Sequence, residues 1–193
     1  PLREPFFPNG DHDEPDLEPL LAQCSLPAQI EPSLAPGEAD RLAKELDLAG
    51  RRWLVVAGPH APGDAESHCA AVASVAERLQ APVLADALSG LRDHASINPR
   101  LVTTYEAILR SETDLDALAP DAVLRLGPLP TSKNFRNWIV KLDRHTWVVD
   151  TSGRDLDGLR GRTNHLTLTT EGFASVLADG EGQGIDWGTA WME

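Results

Sequence analysis

The chain has 193 residues, 41% of them hydrophobic and 24% charged, with 30 acidic against 17 basic side chains and a formal charge of −13. That length suits one domain able to bury a real core, while the charge repels nucleic acid and anionic membrane, so an anionic ligand needs a local basic pocket. No apolar run approaches the ~20 residues of a membrane span, no signal segment opens the chain, and Cys24 and Cys69 make no metal pattern, which favours a reduced, cytoplasmic protein.

Residues 1–36 read as an irregular, Pro-rich acidic linker. Prolines recur from Pro1 to Pro36 and prevent regular helix. The acidic run from Asp11 to Glu18 favours solvation, and His12 within it has no companions to complete a metal site. From there strands and helices alternate. Residues 38–48 carry apolar side chains at helical spacing. Residues 53–57 form a strand that is apolar on both faces, as a strand covered on both sides requires, and Gly58 ends it. Asp64 or Ser67 opens a helix to Leu79. A short strand spans 82–85 and a short helix 105–109. Residues 122–126 are the third strand, closed by Gly127 and two prolines.

Thr131 or Ser132 then caps a helix over 135–142. Strands at 146–150 and 165–169 and a helix at 171–177 complete the pattern. This order predicts an α/β, doubly wound parallel sheet, Rossmann-like, of about five to six strands with helices on both faces. The domain spans 37–178, and 179–193 read as a Gly-rich tail or linker to a further domain. The chain starts at Pro1 and its one methionine is Met192, so the expectation is an excised piece of a longer protein.

The basic residues after the third strand carry the clearest chemical signal. A helix N-terminus beside a strand end attracts anions through free N–H groups. Lys133 adds a full charge there, with Arg136 and Lys141 further along; the alternative is a βα connection whose basic residues are only solvated. Arg92, in Leu88-Ser-Gly-Leu-Arg92, follows the second strand at the ligand-binding end of such sheets. It either meets a carboxylate or pairs with Asp86 or Asp93. The loop 58–63 lacks the G-x-G-x-x-G and P-loop patterns, and its prolines remove phosphate-binding donors. His60 and His68 either share a site or stand as exposed loop and helix residues. Cys69 reads as a small buried helix residue. The pairs Asp114/Asp116 and Asp155/Asp157 read as solvated caps and turns. No residue is assigned a catalytic, cofactor-binding or metal-binding role in this chain.

Five segments in order carry a family resemblance: Leu84-Ala-Asp-Ala-Leu-Ser-Gly-Leu-Arg92, Thr104-Tyr-Glu-Ala-Ile-Leu109, Pro120-Asp-Ala-Val-Leu-Arg-Leu-Gly127, Pro130-Thr-Ser-Lys133 with Trp138, and Trp147-Val-Val-Asp150. They resemble the central domain of 2-succinyl-5-enolpyruvyl-6-hydroxy-3-cyclohexene-1-carboxylate synthase, a thiamine-diphosphate enzyme of menaquinone and phylloquinone synthesis. Pro1-Leu-Arg-Glu-Pro5 resembles the close of that family's first domain. The resemblance implies a parent of three α/β domains, homodimeric or homotetrameric. That parent decarboxylates 2-oxoglutarate on thiamine diphosphate with Mg²⁺ or Mn²⁺ and adds the succinyl unit to isochorismate.

The family's cofactor-activating glutamate and its Gly-Asp-Gly…Asn metal motif lie in the outer domains, which implies a fragment without cofactor, metal or turnover of its own. The resemblance also implies that a basic pair at the helix after the third strand holds a substrate carboxylate. Lys133 matches its first member. The second is Arg in some relatives and Asn134 here, with Arg136 three residues on from Lys133. Two alternatives stay open. One is a regulatory or free-standing Rossmann-like module that binds an anionic metabolite through Arg92, Arg125 or Lys133. The other is the central domain of a relative such as acetolactate synthase, which needs a flavin or nucleotide loop that 58–63 does not supply.

Overall fold

The computed structural model describes Pro19 and residues 34–191, apart from 36, 61, 112–114, 155 and 180–182. The chain divides into two compact units, Pro1–Ile30 and Glu31–Glu193, and the described residues from 34 onward lie in the second. The acidic run, His12, Cys24, Asp114 and Asp155 lie outside the described residues, as does nearly all of the expected linker.

The second unit is one six-stranded parallel sheet. Its elements run α1 (Glu38–Leu46), β1 (Trp53–Ala57), α2 (Ala65–Leu79), β2 (Val83–Ala85), a 3₁₀ helix (Gly90–Ile97), β3 (Leu101–Val102), α3 (Tyr105–Arg110), β4 (Ala122–Leu126), α4 (Lys133–Leu142), β5 (His145–Val149), β6 (Thr163–Leu166) and α5 (Thr170–Asp179), closing on a 3₁₀ turn (Gly188–Trp191). Strand order is β3-β2-β1-β4-β5-β6, every pairing parallel. The expected fold class is therefore the one observed. This is the doubly wound order, with its switch point between β1 and β4.

Alternation along the strands divides the core. Trp53, Val55 and Ala57 of β1 pack with Leu124 of β4 against α2, α5 and α1. Leu54 and Val56 pack with Val123 against Tyr105, Phe135, Trp138 and Ile139 of α3 and α4. All five residues of β1 and of β4 are buried, which is why both segments read as unbroken apolar runs rather than alternating ones. The helix starts follow local chemistry. The Asp64 carboxylate accepts the Ser67 N–H at 3.0 Å, and the Ser132 hydroxyl accepts the Phe135 N–H at 3.0 Å. Of the residues offered as caps, Asp64 and Ser132 are the ones used.

Two features were not read from the sequence. The two-residue strand β3 and the 3₁₀ helix before it give too short a pattern to be read from periodicity. The expected flexible tail is also not a tail over its described part. Gly184 lies so close to the end of α2 that a Cβ there would meet the Leu79 carbonyl oxygen at 2.0 Å. The Ile185 N–H donates to the Arg51 carbonyl at 3.0 Å, and Trp187 and Trp191 are 7% and 1% exposed. Gly-rich composition suggested a linker, but two tryptophans with a core to enter outweigh it.

Candidate functional site

Open α/β sheets bind ligands beyond the carboxyl ends of their strands, at the switch point. Here that crevice is filled by the protein itself. Gly58 follows β1, and a Cβ on it would meet the Pro128 carbonyl oxygen at 1.9 Å. The Gly58 N–H donates to Leu126 O at 3.4 Å. The turn after β4 therefore lies directly on the turn after β1, where a dinucleotide's phosphates would otherwise approach. These residues do not fit a diphosphate. Among the described residues, no group of three or more His, Cys, Asp or Glu is placed to hold a metal ion, and no helix is long and apolar enough to cross a membrane.

Beside the filled crevice, two carboxylates organise the edge. Asp86, just past β2, is 1% exposed. Its carboxylate accepts the Thr131 N–H at 2.8 Å, the Thr131 hydroxyl at 3.0 Å and the Leu88 N–H at 2.9 Å. Glu106, on α3, accepts from the Ser132 hydroxyl, from Asn134 Nδ2 at 2.7 Å and from Arg110 at 2.8 Å. The Ser132 bond leads in holding the Glu106 carboxyl below the usual range, with Asn134 and Arg110 adding to it against the opposing effect of burial. Tyr105 next to it is pushed up to about 12 by burial, with Asp86 and Glu106 adding and Arg92 opposing. The turn 130–134 is thus clamped from two sides. Sequence reasoning named Asp86 only as a partner for Arg92 and did not single out Glu106. An acid placed two residues into a short helix gives no spacing signal.

The four expected site residues fare differently. Lys133 is the first residue of α4 and exposed, with no hydrogen bond or ion pair among the described residues. Asn134 is half-buried and its amide is engaged by Glu106. Arg136 bends back, its Nε donating to the Pro130 carbonyl at 2.8 Å. Arg92 is half-buried and donates to two backbone carbonyls, Ala85 O at 3.3 Å and Thr103 O. It ties the ends of β2 and β3 together rather than pairing with Asp86 or Asp93.

The two histidines divide between the two readings. His60 is exposed, but His68 is 7% exposed and the two rings lie 4.8 Å apart. The Glu171 carboxylate is 3.9 Å from His68 Nδ1. Burial, with His60 adding, lowers the His68 pKa despite the opposing pull of Glu171. Cys69 is buried as expected, at 2% exposed, and its thiol is pushed up by that burial and by Asp93, the reverse of what a nucleophile needs.

Fold and edge together define a Rossmann-like α/β domain whose switch-point crevice is closed and which presents a cation, Lys133, at the helix start beside it. Among known proteins, no family model matches the chain. It resembles 2-succinyl-5-enolpyruvyl-6-hydroxy-3-cyclohexene-1-carboxylate synthase. The relative from Microcystis aeruginosa is 33% identical over 193 residues, covering 100% of this chain and 34% of that protein. The one from Trichormus variabilis is 35% identical over 182 residues, 89% of this chain and 30% of that protein. The one from Nostoc sp. is 42% identical over 134 residues, 68% and 23%. The chain thus spans between 23% and 34% of the length of these curated relatives, and the resemblance read from the sequence is borne out. A solved structure from Mycobacterium smegmatis, described as a thiamin diphosphate-dependent enzyme, matches at a TM-score of 0.48 and 16% identity, covering 82% of this chain and 30% of that one. At that score the likeness carries no argument.

Proposed function

We propose that the chain is the central domain of a synthase that decarboxylates 2-oxoglutarate and adds the succinyl unit to isochorismate, in menaquinone or phylloquinone biosynthesis in the cytoplasm. In this reading the parent is a homodimer or homotetramer of three-domain chains. Thiamine diphosphate, with Mg²⁺ or Mn²⁺, supplies the electron sink for decarboxylation and is held by the outer domains. The central domain spaces those two and turns nothing over alone. The match of the whole of this chain to 34% of the Microcystis protein is the observation that carries the reading.

What this chain's own residues contribute is positive charge at a fixed place. Both substrates are anions, and a cation held rigidly at the site mouth needs no reorganisation when a carboxylate arrives. Lys133 suits that role because Asp86 and Glu106 hold the turn before it while leaving its ammonium unanswered. Asn134 serves by fixing the turn through Glu106, and Arg136 by bracing Pro130. Lys133→Ala in the full enzyme is expected to lower kcat/KM by about 1–3 kcal/mol, the range of a charged hydrogen bond, with Arg at 133 restoring part of it. Steady-state kinetics for each substrate check this, and unchanged values for both would remove Lys133 from the site.

A further inference from the structure

A second feature lies on the α4 side of the sheet, under the loop that leads into β6. It is a cavity of about 150 Å³. Val56 and Val123 from the strands, Leu129 from the turn, and Phe135 and Ile139 from α4 make its walls apolar. The rest of its lining includes Arg125, Arg144 and Arg160 against Asp143 and Asp157. In a chain of formal charge −13, this pocket has cations in excess.

Those charges are not equivalent. Arg125, in β4, is 3% exposed, and its Nη2 donates to the Leu156 carbonyl at 2.7 Å. Burial pushes the Asp157 carboxyl up, but the Gly161 N–H, the Thr163 hydroxyl, the Leu159 N–H and the Arg125 charge outweigh it and leave the group below the usual range. Arg125 therefore ties the loop to the sheet through the Leu156 carbonyl, and its charge adds to the hold on Asp157. Asp143 faces Arg162 at 3.7 Å. Arg144 and Arg160 remain. Both are exposed, and neither guanidinium has a hydrogen bond or ion pair among the described residues.

We propose that this cavity binds a small carboxylate carried on a single six-membered ring or an apolar body of similar size. The ring sits between α4 and the sheet, and the carboxylate lies at the rim against Arg144 and Arg160. The size follows from the volume, because an apolar cavity of about 150 Å³ takes up one benzene. The charge follows from the rim, because a guanidinium offers a carboxylate two parallel hydrogen bonds. A neutral ring leaves both arginines unanswered, and a small ion without a ring leaves the apolar walls unfilled. The site is separate from Lys133. Leu129 and Phe135 of the lining are near Lys133 in the chain, but Lys133 itself is not part of it, and Val140 and the C-cap Asp143 lie seven and ten residues further on, about 10 and 15 Å along a helix. The inference does not rest on the proposed parentage.

The test is a titration of the ¹⁵N-labelled chain with benzoate, benzamide and acetate in turn. Benzoate is expected to give saturable amide shifts clustered at Val123, Ile139, Thr146 and Gly161. Benzamide and acetate should bind at least about tenfold more weakly, as loss of one charged contact or of the ring requires. The double variant Arg144→Gln/Arg160→Gln changes only exposed side chains, so it should keep the dispersed spectrum and lose about tenfold in benzoate affinity. Shifts that never saturate, or that scatter over surface arginines, overturn the proposal. So does benzamide binding as well as benzoate, or the double variant binding benzoate unchanged.

Discussion

Three donors close on the carboxylate of Asp86, and all three are backbone or hydroxyl groups of turns rather than cations. A buried anion satisfied in this way fixes the turn after β4 to the end of β2 without a salt bridge. Asparagine at 86 has nearly the same shape, but one of its two groups is a donor facing donors. Asp86→Asn is therefore expected to destabilise the chain by about 2 kcal/mol, the cost of charged hydrogen bonds lost and a buried donor left unmet, measured by urea unfolding. The same variant frees the turn before Lys133. In the full enzyme its kinetic defect should resemble that of Lys133→Ala, although residue 86 makes no substrate contact in this reading. Of this cluster, the sequence displayed the capping Ser132 and the polar and basic residues after it, since a hydroxyl and a cation at a helix start are patterns. The acids that hold it are legible only once β2, α3 and β4 are brought together.

At the level of elements, α2 meets α5 across the outer face, and His68 sits in that seam facing His60 and Glu171. Its lowered pKa means that the unfolded chain binds the proton more readily than the folded one. The stability this histidine contributes is thus present above the ordinary histidine pKa of about 6.5 and lost as pH falls through the lower folded value. Unfolding free energy measured from pH 7 to pH 5 should fall, and His68→Gln should flatten that slope. The Glu106 carboxyl, also below its usual range, adds its own loss only in more acid solution. The burial of His68 was hidden in the sequence because a polar ring among Ser67, Cys69 and Ala70 reads as a solvent face. The strands were legible for the opposite reason. β1 and β4 are covered on both sides, so each is an unbroken apolar run with a glycine at its end. β3, two residues long, offered no pattern at all.

For the molecule as a whole, the described segment 183–191 completes the core rather than leaving it. Trp187 Nε1 donates to the Trp53 carbonyl at 2.8 Å, and the Arg52 guanidinium lies 5.7 Å from the centre of the Trp187 ring. Trp191 stands edge-on to Trp138 at 5.6 Å, and Arg100 bridges Asp186 at 3.0 Å and Glu77 at 3.1 Å. Trp191→Ala is expected to cost about 3–5 kcal/mol, as large-to-small changes of buried aromatics do, which is a substantial part of the stability of one domain. Thermal unfolding followed by near-ultraviolet circular dichroism measures it. A boundary drawn at 178 for expression would remove this layer. The closed switch point has a different consequence. The Pro128 carbonyl sits where Gly58 has no side chain, so the position that other sheets of this order reserve for a guest is held by a covalent resident. A glycine-rich fingerprint engineered into 58–63 would meet that resident, not an empty slot. Any design that seeks to make this scaffold bind a nucleotide must first reroute the chain between Gly127 and Ser132.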